Sequence, residues 1–133
     1  MPIVTVFNTR RWKENEYEGE VDVQIEGLRV TCRAVANPDE WETLTKSTSV
    51  SGIVTFLRYG NYEKIGGTRP QFERLDGISY RATGTIREVD GECVVFEEMP
   101  WLKIDLDLPP GATIQHLKPG DGLRVVGQFE LEL

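Results

Sequence analysis

Apolar and polar residues alternate one for one along most of this chain, the pattern of strands with one buried face. In EVDVQIE, residues 20–26, Val21, Val23 and Ile25 fall on one side, and Glu20, Asp22, Gln24 and Glu26 on the other. Glu26-Gly27 then reads as a tight turn, because glycine supplies the positive φ that two-residue hairpins need. LRVTCRAVA continues with Leu28, Val30, Cys32 and Ala34 inward and Arg29, Thr31 and Arg33 outward, so residues 20–36 form a hairpin. A second hairpin is predicted over YRATGTIREVDGECVVFEE, turning at Asp90-Gly91, with Gly84 marking a bulge or a close backbone approach. WLKIDLDL puts Leu102, Ile104, Leu106 and Leu108 on one face. The closing strand, after a Pro-Gly-Asp-Gly turn, aligns Leu123, Val125, Phe129, Leu131 and Leu133, with Gly127 as a bend.

Three stretches break the alternation. ANPDEWETLTKS predicts one short helix at about 38–46: Asn37 caps, Pro38 takes the first helical position, and Glu40 completes a capping box. SVSGIVTFLRY is apolar on both faces, with Val50, Val54 and Phe56 on one and Ile53, Leu57 and Tyr59 on the other. Such a strand is covered on both sides or faces a partner, which points to a homodimer contact. GNYEKIGGTRPQFERLDG, residues 60–77, shows no period and reads as a long loop.

Roughly eight strands and one helix predict an all-β chain. A small antiparallel β-barrel is the expected solution, since closure removes exposed edges; a β-sandwich is the alternative. Strand-strand-strand-helix-strand-strand is an OB-like order. Residues 3–59 with a last strand at 79–89 fit it, as does a second frame starting at 79 with ATIQHL in place of the helix. The 133 residues fit one domain, 1–133, with enough chain to bury a core.

Composition narrows the function classes. Hydrophobic residues at 39% and charged residues at 28% describe a globular chain. No apolar run spans a bilayer, no leader pattern opens the chain, and two separated cysteines without CxxC suit a reducing compartment, so a cytoplasmic protein without a membrane partner is expected. The net charge is -7. Residues 1–90 hold 12 Lys/Arg against 14 Asp/Glu, and residues 91–133 hold 3 against 8. That acidity opposes general affinity for phosphate backbones and suits a basic partner.

Candidate chemistry is sparse. His116, the single histidine, lies in a connector with no nucleophile motif beside it, so no enzyme is expected. No metal site and no cofactor are expected either. Asp105 and Asp107 would share a strand face with Cα atoms roughly 7 Å apart, and with Glu97 or Glu98 they are the nearest approach to a cation site. GGTRP, residues 66–70, is a weak anion nest. The stretch that carries a functional bet is LRYGNYEKIGGTRPQFERL, where Arg58, Tyr59, Tyr62, Lys64, Arg69 and Phe72 interleave aromatic rings with cations. Rings and arginines suit a protein interface, and rings with cations also suit a single-stranded nucleic acid. Outward arginines, Arg29 with Arg33 and Arg81 with Arg87, form a basic patch unless cross-strand acids such as Glu20, Asp22 and Glu26 cancel them. The leading expectation is an interaction protein that binds a protein partner or itself. The alternatives are an OB-like single-strand binder and an apolar-ligand barrel lined by Tyr80, Ile86, Trp101 or Phe129.

Overall fold

The computed structural model describes residues 3–14, 16–46, 49–66, 70–109 and 116–133. The described residues are predominantly β, with ten strands and one short helix. They group into two compact units: residues 1–54 with 129–133, and residues 55–128.

In the first unit, β1 (Ile3–Arg11), β2 (Glu18–Ile25) and β3 (Leu28–Val35) form an antiparallel meander. The predicted turn is there, with Glu26 at φ 48° and Gly27 at φ 81°. Helix α1 (Pro38–Lys46) has the predicted bounds. Its capping box is complete: Glu40 N donates to Asn37 Oδ1 at 2.8 Å, and Asn37 N donates to Glu40 Oε1 at 3.0 Å. Trp41 and Leu44 are the buried side of the helix. Asn37→Ala is expected to destabilise the protein by about 1 kcal/mol, with Asn37→Asp near neutral; urea denaturation midpoints measure both. β4 (Ser49–Ser51) returns antiparallel along β1. The parallel neighbour of β3 is the end of β10 (Gly122–Glu132), with Phe129, Glu130 and Leu131 opposite Cys32, Arg33 and Ala34. Residues 79–89, expected in that place from the first OB-like frame, pair elsewhere. The core of this unit includes Val4, Val21, Val23, Cys32, Trp41, Leu44 and Phe129.

In the second unit, the largest departure from expectation is the stretch read as a loop. β5 (Ile53–Ile65) runs on through Tyr59 and Tyr62, and β6 (Gln71–Asp76) is a separate strand on the edge of β7 (Ser79–Asp90). β7 changes neighbours at a bulge between Ile86 and Glu88. Its first half pairs with β6 and β10, and its second with β8 (Cys93–Phe96). β8 pairs antiparallel with β9 (Met99–Asp105), and β9 pairs parallel with β5 through Lys103, Ile104 and Asp105. The pairing is therefore mixed, not antiparallel throughout. Parallel neighbours come from strands far apart in sequence, and local alternation carries no record of them. Phe56, Ile86, Phe96, Ile104, Leu106 and Leu123 fill the interior of this unit at 0–1% exposure.

Candidate functional site

The candidate residues that the structure describes do not gather in one cluster. Arg69 lies outside the described residues. Arg58, Tyr59, Tyr62 and Lys64 all lie on β5, where alternation sends Tyr59 to the face opposite the other three. Phe72 lies on β6, packed edge-on to Phe56 with ring centroids 6.3 Å apart.

Arg58 is a structural clamp. Its Nε donates to Leu106 O at 2.5 Å, Nη1 to Gly60 O at 2.7 Å and Nη2 to Asp107 O at 3.4 Å. Its guanidinium carbon also lies 5.1 Å from the Tyr62 ring centroid. The Tyr62 ring stacks in turn on His116, with centroids 6.0 Å apart. Lys64 Nζ stands 3.4 Å from Asp121 Oδ2. On the opposite face of β5, Tyr59 is 51% exposed and its hydroxyl donates to Ser79 Oγ.

Asp121 is tied down further by Lys118 N, which donates to Oδ2 at 3.0 Å. Partial desolvation opposes ionisation, but that hydrogen bond and the Lys64 charge outweigh it and hold the carboxyl below the usual carboxylate range. The stabilisation is present above the ordinary pKa of about 4 and is lost as pH falls through the lowered value. Asp121→Asn is expected to flatten the loss of stability below that pH, read from urea midpoints measured between neutral and strongly acidic buffers.

Of the outward arginines, Arg33 and Arg81 pair with acids, whereas Arg29 and Arg87 have no ion pair among the described residues. Arg10 makes a bidentate pair with Asp22, both bonds 2.9 Å. Arg33 bonds both Glu18 and Glu130. Arg29 lies over the Phe7 ring at 4.1 Å. In the second unit Arg81 pairs with Glu73 and Arg124 with Glu63, each at 3.1 Å. Arg81 and Arg124 line a recess of about 290 Å³ with Asn61, Glu63 and Val126. A recess of about 380 Å³ in the first unit is lined by Glu40, Thr43, Leu44, Val50 and Leu133 among others.

The acids on distal β7 and on either side of β8 contrast with this. Among the described residues, no cation stands within ion-pair distance of exposed Glu88, Asp90, Glu92 or Glu97. Only Glu92 and Glu97 of these four belong to the acidic part of the sequence after residue 90. Asp105 and Asp107 do not share a strand face: β9 ends at Asp105, Asp107 adopts φ 47°, and its N–H donates back to Asp105 Oδ1 at 2.8 Å. Glu98 Oε1 accepts from Thr85 N at 2.8 Å. No group of three potential metal ligands converges among the described residues.

Both cysteines are free. Burial pushes the Cys32 thiol far up. Burial, then the Asp105 charge, raises half-buried Cys93. A raised thiol is a poor nucleophile at neutral pH. No helix among the described residues is long and apolar enough to cross a membrane.

No protein-family model matches the chain, and no curated protein or solved structure matches it either.

Proposed function

We propose that the chain is a non-enzymatic interaction protein, an acidic β protein that binds a basic protein partner. The reading rests on how its charges are sorted. Arg10, Arg33, Arg58, Lys64, Arg81 and Arg124 are each engaged by acids or carbonyls of the chain itself, whereas among the described residues Glu88, Asp90, Glu92 and Glu97 have no cation within ion-pair distance, and Lys13, Arg87 and Lys103 have no acid there either. A phosphate backbone would have to displace existing partners from most of those cations, which supports a protein partner over a nucleic acid. Unpaired acids on a chain of net charge -7 steer encounters with a cationic surface.

The strand pairings support an OB-like barrel as the architecture that carries these charges. In the first unit β1, β2 and β3 are followed by α1, β4 returns on β1, and β10 lies parallel to β3. In the second, β7, β8 and β9 are followed by β10 returning on β7, with β5 parallel to β9. Both successions of neighbours are compatible with an OB-like order, although in the second unit the strand parallel to β9 precedes residue 79 in the chain.

The test is retention of proteins from a nuclease-treated lysate on the tagged chain, eluted with a salt gradient. Lysine- and arginine-rich proteins leaving as salt rises are the expected result. Retention that disappears with nuclease, or that consists of further copies of the same chain, would overturn the reading.

A further inference from the structure

The first unit covers its sheet face with its own pairs. On β1, β2 and β3, Arg10 binds Asp22, Thr31 Oγ1 donates to Asp22 at 2.7 Å, Arg33 joins Glu18 and Glu130, and Arg29 lies on Phe7. The second unit has a face built differently. The registers set two rows across four strands. In one, Leu57 on β5 stands opposite Asp105 on β9, then Cys93 on β8, then Asp90 on β7. In the other the succession is Thr55, Lys103, Val95 and Glu88. Trp101 precedes Lys103 by two residues and so shares its face.

Thr55, Leu57, Val95, Cys93 and Trp101 are half-buried on this side, while Phe56, Val94, Phe96, Leu102 and Ile104 turn inward and are buried. The face is thus a rigid, partly apolar surface over a packed interior. Lys103 is the one cation in its two rows, against Glu88, Asp90 and Asp105. The turn acids Glu92 and Glu97 stand at its ends.

We infer that this face of β5, β9, β8 and the distal half of β7 docks a basic segment of the partner, with an apolar side chain of that segment seated beside Trp101 and Val95. This surface rests on the reading of the protein as a binder of basic proteins, and names where and how it binds. The chemistry follows from the rim and the centre together. A half-buried tryptophan amid aliphatic side chains is the kind of residue that anchors an interface. Acids without internal cations select a lysine- or arginine-bearing occupant and speed its arrival. A second copy would bring the same acids against one another, and a nucleic acid would bring phosphates against them; like charges in contact disfavour both.

The experiment uses the full chain, isotopically labelled, and a fluorescent peptide of alternating lysine and leucine. An alternating glutamate-leucine peptide is the control. Binding is followed by anisotropy and mapped by amide shifts. The expected result is binding of the cationic peptide alone, with shifts centred on Thr55, Leu57, Val95 and the Trp101 indole. Trp101→Ala should weaken binding by about 30-fold, a hot-spot loss. Glu88→Lys with Asp90→Lys, both exposed and unpaired, should fold normally and weaken it about 10-fold at low salt. Leu75→Ala, exposed on β6 and outside these four strands, should leave it unchanged.

Equal binding of the glutamate-leucine peptide would overturn the proposal, as would shifts centred on Tyr59–Ile65 or unaltered affinity in the charge-reversal variant. A dimer that the charge-reversal variant abolishes would also overturn it. Cationic binding that maps elsewhere removes this surface and leaves the basic-partner reading standing. No cationic binding at all removes both.

Discussion

Gly127→Ala is expected to destabilise the protein by on the order of 3 kcal/mol, and Gly127→Val to abolish folding. A Cβ at this position would lie 2.2 Å from Leu57 O, 2.8 Å from Leu57 C and 2.8 Å from Phe56 Cε1. Two of those three atoms are backbone of β5, so no rotamer change relieves the clash. Gly127 lies in β10 opposite Tyr80 of β7, so separating the strands to make room would also strain that pairing. Gly66→Ala is the control: nothing lies within 4 Å of its Cβ and its φ is unremarkable, so it should stay within about 0.5 kcal/mol of the parent. Thermal melts read the difference directly, with the Gly127→Ala midpoint falling by roughly 10 °C. A midpoint equal to that of Gly66→Ala would mean that β5 and β10 do not approach as described.

Arg58→Ala is expected to cost about 2–3 kcal/mol of stability, because a charged donor group is removed from three carbonyls at once. The carbonyls of Leu106 and Gly60 would lose their short partners, at 2.5 and 2.7 Å. Arg58→Lys keeps the charge but not the fork that reaches several acceptors, so it should recover less than half of the loss. Urea midpoints with an unchanged m-value are the measurement. The expected locus of the effect differs from what residue type alone implies. A tyrosine-arginine stretch reads as a binding loop, whereas here the arginine braces the segment after β9. An Arg58→Ala protein of parental stability that had lost its partner would restore Arg58 to a binding role.

The parts of the fold that follow from local chemistry were visible in the chain. The Glu26-Gly27 turn, the Asn37 capping box and the α1 bounds are each set by neighbours within a few residues. At Gly84, read as a bulge or a close backbone approach, the neighbour is a side chain from further along the chain, the Phe96 ring, which occupies the space a Cβ would need. The strands at 60–65 and 71–76 were hidden, because alternation reveals a strand only when one face is buried. Tyr59, Asn61, Glu63 and Lys64 are exposed or ion-paired, and in β6 only Phe72 is half-buried. Hydrogen bonding to β7 makes β6 a strand without leaving an apolar stripe. The parallel contacts, β3 with β10 and β5 with β9, join segments distant in sequence and have no local signature.

The partners of the candidate residues are hidden in the sequence for a related reason. Residue type shows that Arg58, Lys64 and Arg81 are cations, but not that Leu106, Asp121 and Glu73 already engage them. Likewise, Glu88, Asp90, Glu92 and Glu97 are plain in the sequence, while the lack of a cation beside them among the described residues required the fold. Tyr59 keeps half its surface exposed and Arg69 lies outside the described residues, so the original stretch retains a ring on the surface without the cluster expected around it.

The central claim, that most strand arginines are engaged within the chain while Glu88, Asp90, Glu92 and Glu97 have no cation beside them among the described residues, is tested most directly by one paired titration. The protein is added at low salt to a labelled lysine-leucine peptide and, separately, to a labelled single-stranded oligothymidylate, with anisotropy as the readout. The account predicts saturable peptide binding that weakens as salt rises, and no binding of the oligonucleotide. Saturable oligonucleotide binding with no response to the peptide would contradict it, and would show that the ion pairs of Arg81, Arg124 and Lys64 open to receive phosphates.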